Sequence, residues 1–273
     1  MNSSIKLHVL HCGQVQVDIA LPFQQKTMNP IAFTGLLRSK KHQVILPVSA
    51  YLIEHPKGLV LIDTGWHPDL RGDQIKSLGR LHSMISKAIL PDGQAIHEQL
   101  YQRGIKIKEL DFVMLSHLHS DHVSGLKLVS EAKTIMTSEE EWAAAQKDKV
   151  HYIQHMWKGI NVKTFHMVAS EYGPQSRSFD LFGDESVLFI YTPGHTNGLT
   201  AALVQRNGKF VLLASDCGYA KKSWEQLILP GVMFNKKQLI ETLQWVKAMS
   251  QKSGCIDVFA NHDPDVKPQT IEI

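Results

Sequence analysis

Four side chains that commonly bind metal ions stand close together in the middle of the sequence. They are His117, His119, Asp121 and His122. Imidazole nitrogens and carboxylate oxygens suit zinc and the neighbouring first-row metals. The apolar segment 112–115 comes directly before them, which predicts that they follow a buried strand. We interpret the cluster as a hydrolytic metal centre. The alternatives are a chance grouping in a chain with 15 histidines, or a solvated polar turn.

Other polar side chains also follow segments that are predicted to be strands. The five polar strand ends are Asp63, His117, His195, Asp216 and His262. In layered α/β proteins, ligands bind at strand ends and in the loops beyond them. We therefore expect these five strand ends to converge on one rim of the protein.

Short apolar runs bounded by glycine, proline or polar residues predict the strands. Beyond the N-terminal region they cover 48–53, 59–62, 112–115, 187–192, 200–205, 210–214 and 256–259. Near the N-terminus, the segments 7–10 and 15–19 flank Cys12-Gly13 and predict a hairpin or a bent pair of strands. Residues 158–185 are mixed in character, and we expect short strands and a loop there.

Helices are predicted between these strands, which favours an α/β (α+β) fold. Apolar residues recur every three or four positions over 73–90, as in an amphipathic helix. A short helix is predicted over 94–103. Ser138 and Glu141 have the spacing of a capping box, so a further helix begins there. Asn235 can cap another helix.

The stretch 21–47 has breakers but no helix or strand pattern. It carries apolar side chains that include Phe23, Met28 and Phe33. Loops of this length without their own structure are uncommon and are often functional. The alternative is that the stretch covers an edge of the core.

Composition excludes several classes of function. The net charge is +3 without a clustered basic face, so we expect no nucleic-acid partner. No apolar run approaches the roughly 18 residues that cross a bilayer, so we expect no membrane partner. Cys12, Cys217 and Cys255 are scattered and form no CxxC pair, which favours a cytoplasmic location. The oligomeric state stays open, with a homodimer as one option.

Taken together, these motifs resemble the metallo-β-lactamase superfamily. The resemblance rests on His117-x-His119-x-Asp121-His122, His195 within Thr-Pro-Gly-His-Thr, Asp216 after a strand, His262, and Asp63-Thr64-Gly65. It covers nearly the whole chain and implies a four-layer αβ/βα sandwich formed by one domain over 1–273. The stretch at about 21–47 would be an N-terminal loop, and about 70–104 a helical insertion, both near the active site.

The resemblance also implies a site with two divalent metal ions. We expect zinc, with manganese, cobalt or iron as alternatives. One ion would be held by His117, His119 and His195. The other would be held by Asp121, His122 and His262, with Asp216 bridging the two. Asp63 would accept a hydrogen bond from the far side of a ligating imidazole.

A finer resemblance is to the N-acyl homoserine lactonases. Tyr219 stands three residues after Asp216, as in those lactonases, and the segments 10–13, 63–69 and 224–230 are similar as well. By this resemblance, Phe23, Met28 and Phe33 would contact the substrate. Tyr219 has the alternative role of a core aromatic residue.

The resulting hypothesis is a hydrolase that opens the ring of N-acyl homoserine lactones or a related lactone through a hydroxide bridging two metals. Tyr219 would donate a hydrogen bond to the oxyanion, and Asp121 would pass a proton to the departing ring oxygen. The small-molecule substrate could instead be another ester, a β-lactam, a phosphodiester, or a thioester as in glyoxalase II-like enzymes. A non-catalytic metal-binding sensor is the alternative from a different class.

Overall fold

In the computed structural model, which describes residues 4–273, the strands form two sheets. The strands of the larger sheet, in spatial order, are β14 (Gln269–Glu272), β1 (Lys6–Asp18), β2 (Gln43–His55), β3 (Gly58–Ile62), β5 (Leu110–Met114), β6 (Thr134–Ser138) and β7 (Val162–Phe165), with β4 (Ser86–Ile89) pairing separately with β1. Those of the smaller sheet are β13 (Cys255–Ala260), β12 (Lys209–Ser215), β11 (Thr200–Arg206), β10 (Val187–Tyr191), β9 (Arg177–Asp180) and β8 (Val168–Ala169).

Helices connect and cover the sheets. They are α1 (Gln74–Ile85), α2 (Ile96–Gln102), α3 (Ser120–Val123), α4 (Glu139–Lys147), α5 (Lys221–Glu225) and α6 (Lys236–Ser250). Shorter 3₁₀ turns lie at Ala32–Thr34, Lys40–His42, Pro68–Arg71, Ile107–Glu109, Ser124–Val129 and Gln154–Met156. The predicted caps are present, because Ser138 accepts a hydrogen bond from Glu141 N at the start of α4 and Asn235 accepts one from Gln238 N at the start of α6.

The side chains of the smaller sheet alternate between two hydrophobic cores. Along β10, Val187 and Phe189 belong to the core between the two sheets, whereas Leu188 and Ile190 belong to the core beneath α6. Successive strand residues point to opposite faces, so a strand with helices on one side and a sheet on the other is apolar throughout. The continuous apolar run at 187–191 is explained by this burial on both faces.

The larger sheet is covered in the same way. On β2, Tyr51 and Ile53 face the core between the sheets, while Ala50 and Leu52 face a third core that also contains Leu100 of α2. The order of layers is therefore helix, sheet, sheet, helix. This arrangement confirms the predicted four-layer αβ/βα sandwich.

The N-terminal pair of predicted strands is one long bent strand and not a hairpin. Strand β1 runs from Lys6 to Asp18, and its register against β2 shifts between His11 and Gln14. Such a shift is typical of a β-bulge, which bends a strand without reversing it. The glycine at position 13 therefore marks a bend in β1.

The predicted helix over 73–90 is wrong in its last part. Helix α1 ends at Ile85 and already has a non-helical residue at Gly79. Residues 86–89 form β4, which pairs with the second half of β1. The open edge of β1 offers ladder hydrogen bonds that outweigh a weak helical preference. The segment 70–104 is thus two helices with a strand between them.

The irregular stretch at 21–47 is also shorter than predicted. Residues 43–47 are the first part of β2 and pair with β1 beyond its bulge. Pro47 stands beside the register shift, where a missing ladder donor is tolerated. Two short 3₁₀ turns interrupt the rest of the stretch.

Parallel pairing brings the ends of several strands to one edge of each sheet. In the larger sheet β3, β5, β6 and β7 are parallel neighbours, and in the smaller sheet β12 and β13 are parallel. Parallel strands end at the same edge, so the polar residues that follow them are brought together.

Over residues 4–273, no helix is long and apolar enough to cross a membrane. The three cysteines are free thiols. The cytoplasmic location and the homodimer stay predictions.

Candidate metal centre

Seven histidine and aspartate side chains meet at the rim where these strands end. Potential ligand atoms lie within 4.8 Å of one another in three overlapping sets: His117, His119 and His195; His117, His122 and Asp216; and Asp121, His122 and His262. We call the first set the three-histidine group and the last set the mixed group. Every ligand candidate identified in the sequence belongs to at least one set.

Local backbone geometry directs the central cluster inward. His117 and His119 lie in the turn between β5 and α3, and the short helix α3 carries Asp121 and His122 on its first turn. The helix is anchored to the end of β3, because the carbonyl of His122 accepts hydrogen bonds from both the N–H and the hydroxyl of Thr64. The cluster therefore has little freedom to move away from the sheet.

The carboxylate of Asp216 lies between the two groups. Its Oδ1 is 3.4 Å from His122 Nε2 and 3.4 Å from His262 Nε2. Its Oδ2 is 3.5 Å from His195 Nε2 and 3.9 Å from His117 Nε2. One side chain thus faces the ring nitrogens of both groups, as a bridging ligand would.

Asp63 supports the mixed group from behind. Its carboxylate accepts hydrogen bonds from the backbone N–H and hydroxyl of Ser116, both at 2.8 Å, and from Nδ2 of Asn261 at 3.1 Å. It also lies 2.9 Å from Nδ1 of His122. An imidazole that donates its Nδ1 proton to a carboxylate presents the other nitrogen as a lone-pair donor. Asp63 adopts a left-handed backbone conformation (φ 61°), a strained geometry that is common at functional sites.

His262 is oriented by a backbone carbonyl. Its Nδ1 is 2.8 Å from the carbonyl oxygen of Pro47. This contact leaves Nε2 facing Asp121, whose Oδ2 is 3.3 Å away. Both histidines of the mixed group therefore present Nε2 to the carboxylates.

The three-histidine group is arranged differently. His195 Nε2 and His119 Nδ1 are 3.0 Å apart, and the ring of His117 packs edge-on against both rings. His117 Nδ1 is 3.2 Å from the hydroxyl of Ser116. Ring nitrogens brought this close share either one proton or one cation.

Several buried ligand atoms lack a hydrogen-bond partner among residues 4–273. They are Nε2 of His117, His122 and His262, and Oδ1 of Asp216. Buried polar atoms normally have partners, and a cluster of unsatisfied ones calls for an ion or water. The chemistry of these donors fits two divalent cations well.

Burial and neighbouring charges set the protonation of the cluster. Burial, together with the other histidines, holds the pKa of His117 and of His119 well below the ordinary value. Burial would raise the pKa of Asp216, yet His262 and His122 hold it well below its usual range. Metals bind neutral imidazoles and ionised carboxylates, and these are the states favoured at His117, His119 and Asp216; at His122 and His262 the carboxylates outweigh burial and raise the pKa.

Tyr219 lies at the edge of the centre. Its ring stacks on that of His262, with centroids 5.2 Å apart, and only 8% of the residue is exposed. Burial and the charges of Asp216 and Asp121 raise its pKa well above the ordinary value. The phenol therefore keeps its proton and can act as a hydrogen-bond donor.

A largely apolar cavity of about 390 Å³ opens beside the three-histidine group. Its walls are the end of α4 with the adjoining Asp148, the pair His151 and Tyr152, the loop 195–197 and the segment 232–234. None of the three predicted substrate contacts is among its lining residues. Phe23 is buried in the core between the larger sheet and its helices, Met28 is fully exposed, and Phe33 packs near Gly231. The sequence pattern had no information on this cavity, because its walls come from separate segments.

The structure adds residues that the motifs did not identify. Asn261 donates Nδ2 to both Asp63 and the carbonyl of Ser49, and its signal was its place next to His262. Tyr152 packs against His119 with ring centroids 5.5 Å apart. Nothing in the sequence marked Tyr152, because its segment carries no motif.

Comparisons with known proteins agree with this geometry. The model of the metallo-beta-lactamase superfamily matches residues 44–244. The N-acyl homoserine lactonase AttM of Agrobacterium fabrum is 27% identical over 253 residues, which cover 85% of this chain and 91% of AttM. An N-acyl homoserine lactonase of Bacillus cereus is 27% identical over 222 residues, which cover 80% of this chain and 82% of the relative.

Solved structures share the fold. An N-acyl homoserine lactone hydrolase with N-hexanoyl-L-homoserine bound at its catalytic metal center superposes with a TM-score of 0.77 at 22% identity, covering 95% of this chain and 94% of the other. AidC, a dizinc quorum-quenching lactonase in complex with a product, superposes with a TM-score of 0.67 at 17% identity, covering 98% and 94%.

Proposed function

This chain belongs to the metallo-β-lactamase superfamily, and we propose that it is a metal-dependent hydrolase that opens the ring of N-acyl homoserine lactones or a related lactone. The observation that carries the proposal is the position of Asp216 between the three-histidine group and the mixed group. Two sets of ligands that share one carboxylate suit a pair of cations acting on a single substrate.

Each group would hold one divalent ion. The three-histidine group would hold the first, the mixed group the second, and Asp216 would contact both. Two bound ions would supply a nucleophilic water at neutral pH and polarise the carbonyl of the substrate. We propose zinc, because the ligands are imidazoles and carboxylates and because the similar AidC is a dizinc enzyme. Manganese, cobalt and iron are the alternatives.

Two residues of the chain would assist the reaction directly. Tyr219 keeps its phenolic proton and would donate a hydrogen bond to the oxyanion that forms when the carbonyl is attacked. The side chain of Asp121 is 18% exposed, and it would carry a proton to the departing ring oxygen. Asp63 would keep His122 in the tautomer that binds metal.

The relatives and the cavity support the choice of a lactone with an acyl chain. Curated relatives that cover most of this chain are N-acyl homoserine lactonases. The apolar cavity beside His119 and His195 has the size and lining that an aliphatic chain requires. Contact of the substrate with Phe23, Met28 or Phe33 stays a prediction.

A panel of lactones with different acyl chains, run with metal quantification on the same purified protein, tests the proposal. We expect two ions per chain and ring opening that disappears when a chelator removes them. A control with a thioester, a phosphodiester and a β-lactam measures the competing activities. Bound metal with no hydrolysis of any of these compounds would indicate a sensor, and preferred cleavage of one control would reassign the substrate.

A further inference from the structure

A buried carboxylate that belongs to none of the ligand groups lies behind the three-histidine group. Glu141, on the first turn of α4, is 0% exposed. Its Oε1 accepts a hydrogen bond from Leu118 N at 2.9 Å. Its Oε2 accepts hydrogen bonds from Thr196 Oγ1 at 2.6 Å and from Gly198 N at 3.1 Å.

These partners belong to the two loops that carry the three histidines. Leu118 is the residue between His117 and His119, and Thr196 directly follows His195. The residues joined by Glu141 are 23 and 55 positions away in sequence. One side chain therefore ties the β5–α3 loop to the loop after β10.

The bonding pattern requires a carboxylate. Every partner donates a proton to Glu141, and the hydroxyl of Tyr152 contacts it as well. Burial raises the pKa of Glu141, and the hydrogen bonds that its carboxylate accepts act against this rise because they favour the ionised form. An apolar side chain of the same size would leave the donors of both loops unsatisfied.

The side chain of Glu141 does not form the local hydrogen bond that a capping box would require. A capping box would return the glutamate side chain to the N–H of Ser138. The hydroxyl of Ser138 does accept from Glu141 N, at 3.1 Å, but the Glu141 carboxylate turns to the histidine loops instead. The glutamate that the sequence pattern assigned to a helix cap thus makes a tertiary contact instead.

Close packing reinforces the link. A side chain at Gly198 would place its Cβ 2.0 Å from the backbone nitrogen of Glu141. Ser138 also donates its hydroxyl proton to the carbonyl of Gly198 at 2.7 Å. The loop after His195 therefore rests directly on the first turn of α4.

We propose that Glu141 is a positioning residue. It fixes the geometry of the three-histidine group and thereby determines how tightly that group binds metal. The inference rests on the proposed metal centre. Asp63 holds the mixed group through a ring nitrogen, whereas Glu141 acts through the backbones that carry the rings. Its effect is confined to one of the two ions.

The test compares Glu141→Gln with Glu140→Gln in the full chain. Glutamine keeps the size but has a single acceptor oxygen, so its amide N–H₂ must face at least one backbone donor. Glu140 is the neighbouring residue on the same helix and pairs with Arg177. Zn²⁺ binding is measured by competition with a chelating dye, together with kcat, KM and the melting temperature.

We expect Glu141→Gln to lower the affinity for one of the two Zn²⁺ ions about 10-fold, as for other residues that orient ligands from behind. It should also lower kcat more than it raises KM. Glu140→Gln should leave both affinities unchanged. If Glu141→Gln lowers only the melting temperature, or lowers the affinity for both ions equally, the role of Glu141 is structural and the inference is wrong.

Thr196→Val covers the case in which Glu141→Gln does not fold, because it removes one donor to the carboxylate while keeping the volume. It should weaken the same ion by a smaller factor, and unchanged affinities would overturn the inference. A wild-type protein that binds neither Zn²⁺ nor Mn²⁺, Co²⁺ or Fe²⁺ would instead refute the proposed function, so the two failures are distinguishable.

Discussion

The three-histidine group and the mixed group use similar ligands but differ in charge. Burial, with the neighbouring imidazoles, lowers the pKa of His117, His119 and His195. Burial acts in the same direction on His122 and His262, but the carboxylates of Asp216 and its neighbours outweigh it and raise both pKa values. Carboxylates concentrated on one side therefore give the two halves unequal electrostatics.

The two groups are also held in place by different means. In the mixed group, the far nitrogens of both rings contact oxygens, those of Asp63 and Pro47. In the three-histidine group, the backbone around the rings is tied down through Glu141. The difference shows two ways to preorganise a histidine ligand: by hydrogen bonds to its ring, or by hydrogen bonds to the loop that carries it.

Replacing the residue shared by both groups should have the largest effect. In Asp216→Ala, both halves lose the carboxylate that faces their ring nitrogens. We expect the loss of both ions and hydrolysis at the background rate. Metal analysis of the purified variant and a lactone assay measure this, and a variant that retained two ions would show that the halves are independent.

Removing one ligand from each group separates the halves. We expect His119→Ala and His262→Ala each to lose hydrolysis and to retain metal only in the group that is left intact. The ratio of metal to chain should fall from two toward one in both variants. Two ions in either variant would contradict the assignment of that histidine.

Tyr219→Phe tests a residue that lies beside the mixed group without being a ligand. The hydroxyl is lost but the stacking on His262 remains, so both ions should stay bound. Removing one oxyanion donor typically lowers kcat about 100- to 1000-fold, equivalent to about 2.7 to 4 kcal/mol. Full activity on every lactone in the panel would refute the catalytic role of Tyr219.

Asp63→Asn should weaken metal binding by the mixed group through the hydrogen bonds that orient His122. The amide cannot accept all the hydrogen bonds that the carboxylate accepts from Ser116, His122 and Asn261. We expect affinity for one ion to fall about 10- to 100-fold, measured by chelator competition.

A matched control for that variant is Asp18→Asn. Asp18 is also buried, but it pairs with Arg38 on the N-terminal side of the fold. This change should lower the melting temperature and leave metal affinity unchanged. If both variants affected metal equally, general destabilisation would explain the effect of Asp63→Asn.

The fold was predictable wherever local pattern and tertiary contacts agree. Strands buried on both faces, such as 187–191, are continuous apolar runs, and capped helices such as α6 begin at a marked residue. The prediction was wrong at 86–89, where an amphipathic pattern meets the open edge of β1. No local signal reports that such an edge is available.

The candidate site was predictable to a similar extent. His117 to His122 are a compact motif, and the remaining ligand candidates follow strands whose ends the parallel sheets bring together. The walls of the cavity and the role of Tyr152 could not be predicted, because they depend on segments that meet only after folding.

By itself, the sequence determined which side chains are candidate ligands and that the fold is layered, because residue chemistry and strand periodicity are local properties. Only the tertiary structure decided which nitrogen of each ring faces the centre. The partners that settle this are distant in the chain: Asp63 and His122 are 59 positions apart, and Pro47 and His262 are 215 apart. Hydrogen bonds between such residues exist only once the sheets have packed together.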